Sequence, residues 1–220
     1  MNKTNLLFGL LASFLFSGNA AAVSYGGVEF PDGPASFADF VVDYSPVIGG
    51  GGPTAPYQNP DTALGIPDDL SGTSGGSGFV TLGSGGSLTL QFTDNSLTGS
   101  GNSDDDLWIF EVGPDVEDTF VEISKDNLTW FSVGKVFGSI AGVDIDAFGF
   151  GVLDFFSYVR LTDDPNEGDT TGITVGADID AVGAISSAPP VNPVPVPAAV
   201  WLFGSALLGL AGAARRRKLA

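Results

Sequence analysis

The sequence contains no cysteine and no histidine. Without cysteine there is no disulfide, no thiolate nucleophile and no thiolate metal ligand. Without histidine, the commonest general base, the Ser-His-Asp triad and the commonest zinc ligand are excluded together. Basic residues are scarce as well, 8 Lys and Arg against 26 Asp and Glu in 220 residues. Lys3 stands near the start, and Arg215, Arg216, Arg217 and Lys218 near the end. Only Lys125, Lys135 and Arg160 lie among the acidic residues, all of which fall between Glu29 and Asp180. A region so charged repels nucleic acid, whose binding requires cations at the phosphates. It suits simple solubility or a calcium-rich extracellular setting. A carboxylate pair of the glycosidase kind is the enzymatic route that remains. With 26 acidic residues such pairs arise by chance, and the expectation is a protein that is not an enzyme.

Glycine is abundant, 32 of 220 residues, about twice its usual share of ~7%. Glycine is costly inside a helix, so this composition favours a loop-rich all-β domain. From Val23 to Ile185 apolar residues come in short runs separated by glycine and acidic turns, the spacing of an antiparallel β-sandwich. Leu88, Leu90 and Phe92 alternate with Thr89 and Gln91, which predicts a half-buried strand. Leu107 to Phe110 (LWIF) is continuously apolar and predicts a strand covered on both faces. Phe120 to Ser124 and Leu128 to Val133 flank Lys125-Asp126-Asn127, the pattern of a hairpin. Tyr158 to Thr162 and Ile179 to Ile185 complete the expected strands. Trp108 and Trp130 sit in apolar patterns and are expected in the core; Tyr44 and Tyr57, in Gly/Pro-rich surroundings, are expected to be exposed.

The two ends read differently. Residues 1–22 have the form of a secretory signal peptide, with Lys3, an apolar run from Leu6 to Phe16, and small residues Ala20 to Ala22 at the cleavage site. The run is short for a retained anchor. Residues 186–197 (SSAPPVNPVPVP) hold five prolines in 12 residues and predict an extended, semi-rigid stalk. Ala198 to Ala214 carries no charge over 17 residues, about 25 Å of helix, marginal but sufficient for a single transmembrane helix. Arg215 to Lys218 would then stop transfer and stay on the cytoplasmic side. The alternative is an ordinary single-span membrane protein on a proline stalk.

Val194, Pro195, Val196, Pro197 and Ala198, with WLFGSALLGLAGAARRRK from Trp201 to Lys218 continuing the pattern, resemble a PEP-CTERM-type sorting signal of the Val-Pro-Leu-Pro-Ala (VPLPA-CTERM) variant, with Val196 in place of Leu. The resemblance covers residues 194–218. It implies processing by an exosortase, transient attachment to the inner membrane of a Gram-negative bacterium, and delivery to the cell surface or an exopolysaccharide matrix. The departure at Val196 leaves open which exosortase variant reads it.

In the central region NPDTALGIPDD (59–69), LGSGGSLTLQF (82–92), DLWIFEVG (106–113), VEISKDNLTWFSVG (121–134), YVRLTD (158–163) and GADIDAVGAI (176–185) occur in series. That series resembles bacterial cell-surface domains related to discoidin or galactose-binding-like jelly rolls. The resemblance implies a jelly-roll-like β-sandwich whose loops can bind an exopolysaccharide or surface glycan, with a calcium ion nearby.

GVDIDAFG (142–149) and GADIDAVG (176–183) are near-copies. If each is a strand, its two aspartates share one face and repel unless solvated or bridged by a cation. For Asp144 and Asp146 the plain alternative is exposed strand ends; for Asp104, Asp105 and Asp106 it is a solvated turn. For Asp178 and Asp180 the resemblance implies a calcium role, with Asp61, Asp68 and Asp69 as partner ligands.

Overall fold

A computed structural model of the chain describes residues 22–71, 78–113, 117–168 and 170–191. The expected signal peptide apart from Ala22, the sorting motif Val194–Ala198, the span 198–214 and the cluster Arg215–Lys218 lie outside the described residues. Among the described residues no helix is long and apolar enough to cross a membrane.

The described chain is all-β, with antiparallel sheets joined by loops and short 3-10 turns. Its strands are β1 (Val23–Tyr25), β2 (Val28–Phe30), β3 (Phe40–Ser45), β4 (Val80–Thr81), β5 (Ser87–Gln91), β6 (Ser96–Leu97) and β7 (Leu107–Glu111). They continue as β8 (Thr119–Ser124), β9 (Trp130–Val136), β10 (Ile140–Val143), β11 (Tyr158–Asp163), β12 (Asp178–Ala184) and β13 (Ser187–Ala188). One sheet runs β3-β5-β11-β8-β9 and the other β10-β7-β12-β4, every neighbouring pair antiparallel.

Alternation decides which side chains face inward. Along β11 Val159 and Leu161 are buried while Tyr158, Arg160 and Thr162 are half-buried. The same period in β5 and β8 turns Leu88, Leu90, Val121 and Ile123 inward. There they meet Val80, Leu107, Ile109, Ile179 and Val182 of the smaller sheet in one continuous core. Thr89, expected on the wet side of β5, is buried too, because β5 lies between β3 and β11 rather than at an edge.

The LWIF run is explained by a second layer. Leu107 and Ile109 enter the main core, whereas Phe110 and the half-buried Trp108 pack on the opposite face with Phe30, Phe37 and Tyr25. The β1–β2 hairpin and the turn Gly33–Ser36 bring these rings over the smaller sheet, with the Phe30 and Phe37 centroids 4.6 Å apart. Gly183 lies beneath them and bridges to Phe37. A Cβ at Gly183 would stand 2.7 Å from the Phe30 ring and 2.8 Å from that of Phe37.

The expected hairpin is present as β8 and β9, with a wider turn than the motif predicts. Asn127 takes the left-handed conformation at φ 59°. Asp126 Oδ1 accepts from the amides of Leu128 and Thr129 at 2.9 and 2.8 Å. Those bonds hold Leu128 and Thr129 in the turn, so β9 starts at Trp130 and Leu128 is 84% exposed. The near-copies also diverge: residues 178–184 form β12, but the pairing of 142–149 ends at Val143 and Asp146–Phe148 is a 3-10 turn.

Strand pairing runs on beyond residue 185. Ser187 and Ala188 pair with Leu97 and Ser96, so the first part of the expected stalk is stitched to the body.

The contact of Gly183 with two rings gives a test. Gly183→Val should overpack the aromatic layer and lower unfolding free energy by about 1–3 kcal/mol, read as a lower urea midpoint with an unchanged slope.

Candidate carboxylate sites

Three of the places where carboxylates gather in the described structure bear on the expected sites, and the strands determine where. At the first, the β12–β4 register sets Asp178 opposite Thr81, whose hydroxyl donates to Asp178 Oδ1. The β12–β7 register sets Ile179 opposite Glu111. Glu111, Glu117, Asp163 and Asp178 are all buried. The Glu117 amide donates to Glu111 Oε1 at 3.2 Å, and the Gly85 and Ala177 amides donate to the two oxygens of Asp163 at 2.8 Å each. Burial, then repulsion from Glu117, pushes the Glu111 carboxyl up to about 9. Burial pushes Asp178 up to about 8, with Glu117 and Asp163 adding to it and the Thr81 hydroxyl opposing. Asp163 is also raised by burial, against its two amide bonds.

At the second place β12 changes register between Ile179 and Ala181, leaving Asp180 in the irregularity. Its carboxylate accepts from the Asp68 amide at 3.1 Å and the Asp69 amide at 3.2 Å. Burial raises Asp180 to about 6 in spite of those two bonds. The 59–69 loop is thus tied to β12 through the main chain of Asp68 and Asp69. Asp178 engages Thr81 instead, so Asp178 and Asp180 serve different partners. Asp61 lies in the turn Pro60–Ala63, exposed, its amide bound to Asn59 Oδ1.

The third place is where β7 begins, β10 ends and β12 ends. The Asp106 amide donates to the Val143 carbonyl at 2.9 Å, and the Ile185 amide donates to the Asp106 carbonyl at 2.7 Å. The Asp106 carboxylate, 0% exposed, accepts from the Ile145 amide at 3.0 Å through Oδ2. Its Oδ1 has no hydrogen-bond partner among the described residues. One oxygen each from Asp106, Asp144 and Asp146 lie within 4.8 Å of one another. Asp144 and Asp146 were visible as a pair in the sequence and Asp106 as part of an acidic run. Their convergence was not visible, because it requires β7 and β10 to pair.

The aromatics depart from expectation. Trp130 is half-buried outside the core, with the Arg160 guanidinium 4.2 Å from its ring centroid. Tyr44 belongs to β3 and packs against the core, its hydroxyl donating to the Thr81 carbonyl at 2.6 Å. Burial, then Asp178, pushes that hydroxyl up to about 12. Tyr57 is half-buried against Phe79 at 5.3 Å. Registers of the larger sheet set Phe40, Gln91, Tyr158, Ser124 and Trp130 in one row across it.

No family model matches the chain, and no curated protein matches it either. The chemistry therefore rests on the geometry above. Buried carboxylates facing one another are hard oxygen donors of the kind that hold divalent cations. None of Glu111, Asp178, Asp180, Asp106, Asp144 or Asp146 has a Lys or Arg ion pair among the described residues.

The raised carboxyls predict a direction with pH. Glu111 and Asp178 hold protons in the folded state that they release in the unfolded chain above pH ~4. The folded state therefore binds more protons than the unfolded one from pH ~4 to about 9, and stability falls as pH rises through that window. In a chelator, Tm should be higher at pH 5 than at pH 8.5. Glu111→Gln should flatten that slope and raise Tm at pH 8.5; a slope unchanged by the substitution would count against the assignment.

Proposed function

We propose that this chain is an exported, non-enzymatic protein of the cell surface or exopolysaccharide matrix of a Gram-negative bacterium. An exosortase is the partner that processes it. The observation that carries this reading is the order Val194-Pro195-Val196-Pro197-Ala198, an uncharged run of 17 residues that begins at Ala198, and Arg215–Lys218. A span of that length holds marginally in a bilayer with a core of ~30 Å, and the cations keep its end on the cytoplasmic side. The membrane contact is transient in this reading.

The strand order supports a jelly roll for the displayed domain. Taking β4, β5 and β7 to β12 as eight successive strands, one sheet runs first, eighth, third, sixth and the other second, seventh, fourth, fifth. That is the arrangement of two Greek keys folded face to face. β3 adds an edge to the second sheet.

Mass spectrometry of the protein recovered from its native host's surface tests the delivery reading. The expected C-terminus lies near Pro197, and recovery of a chain ending at Ala220 would overturn it.

A second reading, a calcium-dependent carbohydrate-binding module on the same route, is favoured by the row containing Phe40, Tyr158 and Trp130 with Arg160 beside it. Sugar rings stack on aromatic faces, and the guanidinium and Glu122, paired through Arg160 Nε at 2.8 Å, offer hydroxyl partners. On a glycan array, binding should fall on Trp130→Ala and on chelation. No signal in either state would remove this second reading and leave the delivery reading intact.

A further inference from the structure

We propose that Asp106, Asp144 and Asp146 bind a calcium ion that locks the end of the smaller sheet. Three observations converge on this site. The three carboxylates each offer an oxygen within a 4.8 Å envelope. Two oxygens bound to one calcium at ~2.4 Å lie at most about 4.8 Å apart, so the spacing meets that limit. Asp106 is fully buried and yet its Oδ1 accepts nothing among the described residues. A buried carboxylate oxygen without a donor costs free energy unless a cation meets it. Finally, Asp104 and Asp105 add two more carboxylates beside the three, and the Asp105 carboxylate lies against Gly142 at the end of β10. No lysine or arginine among the described residues forms an ion pair with any of the five.

The surroundings are arranged to bring these groups together. Asp106 is held by main-chain bonds to Val143 on one side and Ile185 on the other. The Ile145 amide serves its Oδ2, and Oδ1 has no hydrogen-bond partner among the described residues. Asp144 Oδ1 accepts from the Ala147 amide at 3.2 Å, which orients the carboxylate from the start of the 3-10 turn. Asp146 Oδ2 accepts from the Gly101 amide at 3.0 Å, which draws the 98–105 loop to the same place. Two glycines leave the space: a Cβ at Gly142 would collide with the Asp105 carboxylate, and one at Gly99 would stand 2.7 Å from Asp146 Oδ2.

Calcium is the cation this donor set fits. It takes 6–8 oxygens in adaptable geometry, which three carboxylates and water supply. Soft or imidazole-preferring metals find no thiolate and no histidine anywhere in the sequence. Asp144 and Asp146 are half-buried, so the ion enters from solvent while Asp106 meets it from beneath. The bound ion would join the loop before β7, the turn after β10 and, through Asp106, the end of β12. Binding of the ion at these residues requires neither export nor a glycan.

Terbium luminescence on the full chain in detergent, stripped with a chelator, tests it. Trp108 sits directly opposite Gly142 in the β7–β10 ladder and two residues from Asp106, close enough to sensitise a terbium ion there. Wild-type protein should show terbium emission on tryptophan excitation, displaced by calcium, and calcium should raise its Tm. Asp144→Asn with Asp146→Asn should weaken calcium binding by at least about tenfold and abolish the Tm rise. If the double variant fails to fold by circular dichroism, Asp144→Asn alone, which keeps an oxygen for the Ala147 amide, should show the same loss in part. Asp68→Asn should leave both signals in place. Absence of emission and of any Tm rise in wild type at ~10 mM calcium would overturn the proposal, as would emission that survives loss of both aspartates.

Discussion

A carboxylate taken out of water must find donors, and the central region has only Lys125, Lys135 and Arg160 to offer as cations. The structure answers with backbone amides. Gly85 and Ala177 donate to Asp163, Asp68 and Asp69 to Asp180, Ile145 to Asp106, Gly101 to Asp146 and Thr93 to Asp39. Hydrogen bonds to a charged acceptor contribute about 1.5–3 kcal/mol each, more than most exposed ion pairs. Nearly every such bond also joins segments distant in sequence: Asp180 lies 111 positions from Asp69, and Asp39 lies 54 from Thr93. The acidic residues that make the chain repellent to other anions therefore also tie its loops to its sheets.

That solution has a geometric requirement, which glycine meets. Gly85, at φ 82°, presents its amide to Asp163 from a conformation that side chains rarely adopt. Gly142 gives up its side chain to the Asp105 carboxylate across the end of β10. A glycine-rich composition thus does more than break helices here. It lets main chain come close enough to serve in place of the missing lysines and arginines.

Much of the sheet framework was legible because strand period is a local property. The alternation around Leu88, Val121 and Val159 and the continuous run at Leu107 announced their strands, and the Asp126-Asn127 turn announced the β8–β9 hairpin. The sites were less legible. Two segments that read almost alike, GVDIDAFG and GADIDAVG, take different paths. The second runs through the middle of a sheet between β7 and β4, while the first leaves the edge strand β10 and closes into a turn. Likewise Trp130 looks like Trp108 by pattern, but the neighbour across the sheet is Arg160 for one and a phenylalanine layer for the other.

The sequence by itself determined an acidic, glycine-rich, all-β chain free of thiol and imidazole chemistry, because composition and two-residue periodicity need no knowledge of distant neighbours. Only the tertiary structure decided which carboxylates stand alone and which converge. Asp106 and Asp144 meet because β7 and β10 pair antiparallel with Leu107 opposite Val143. Asp178 and Asp180 separate because β12 slips register between them. Charge at a site is set by which strands pair, and pairing is a property of the whole fold.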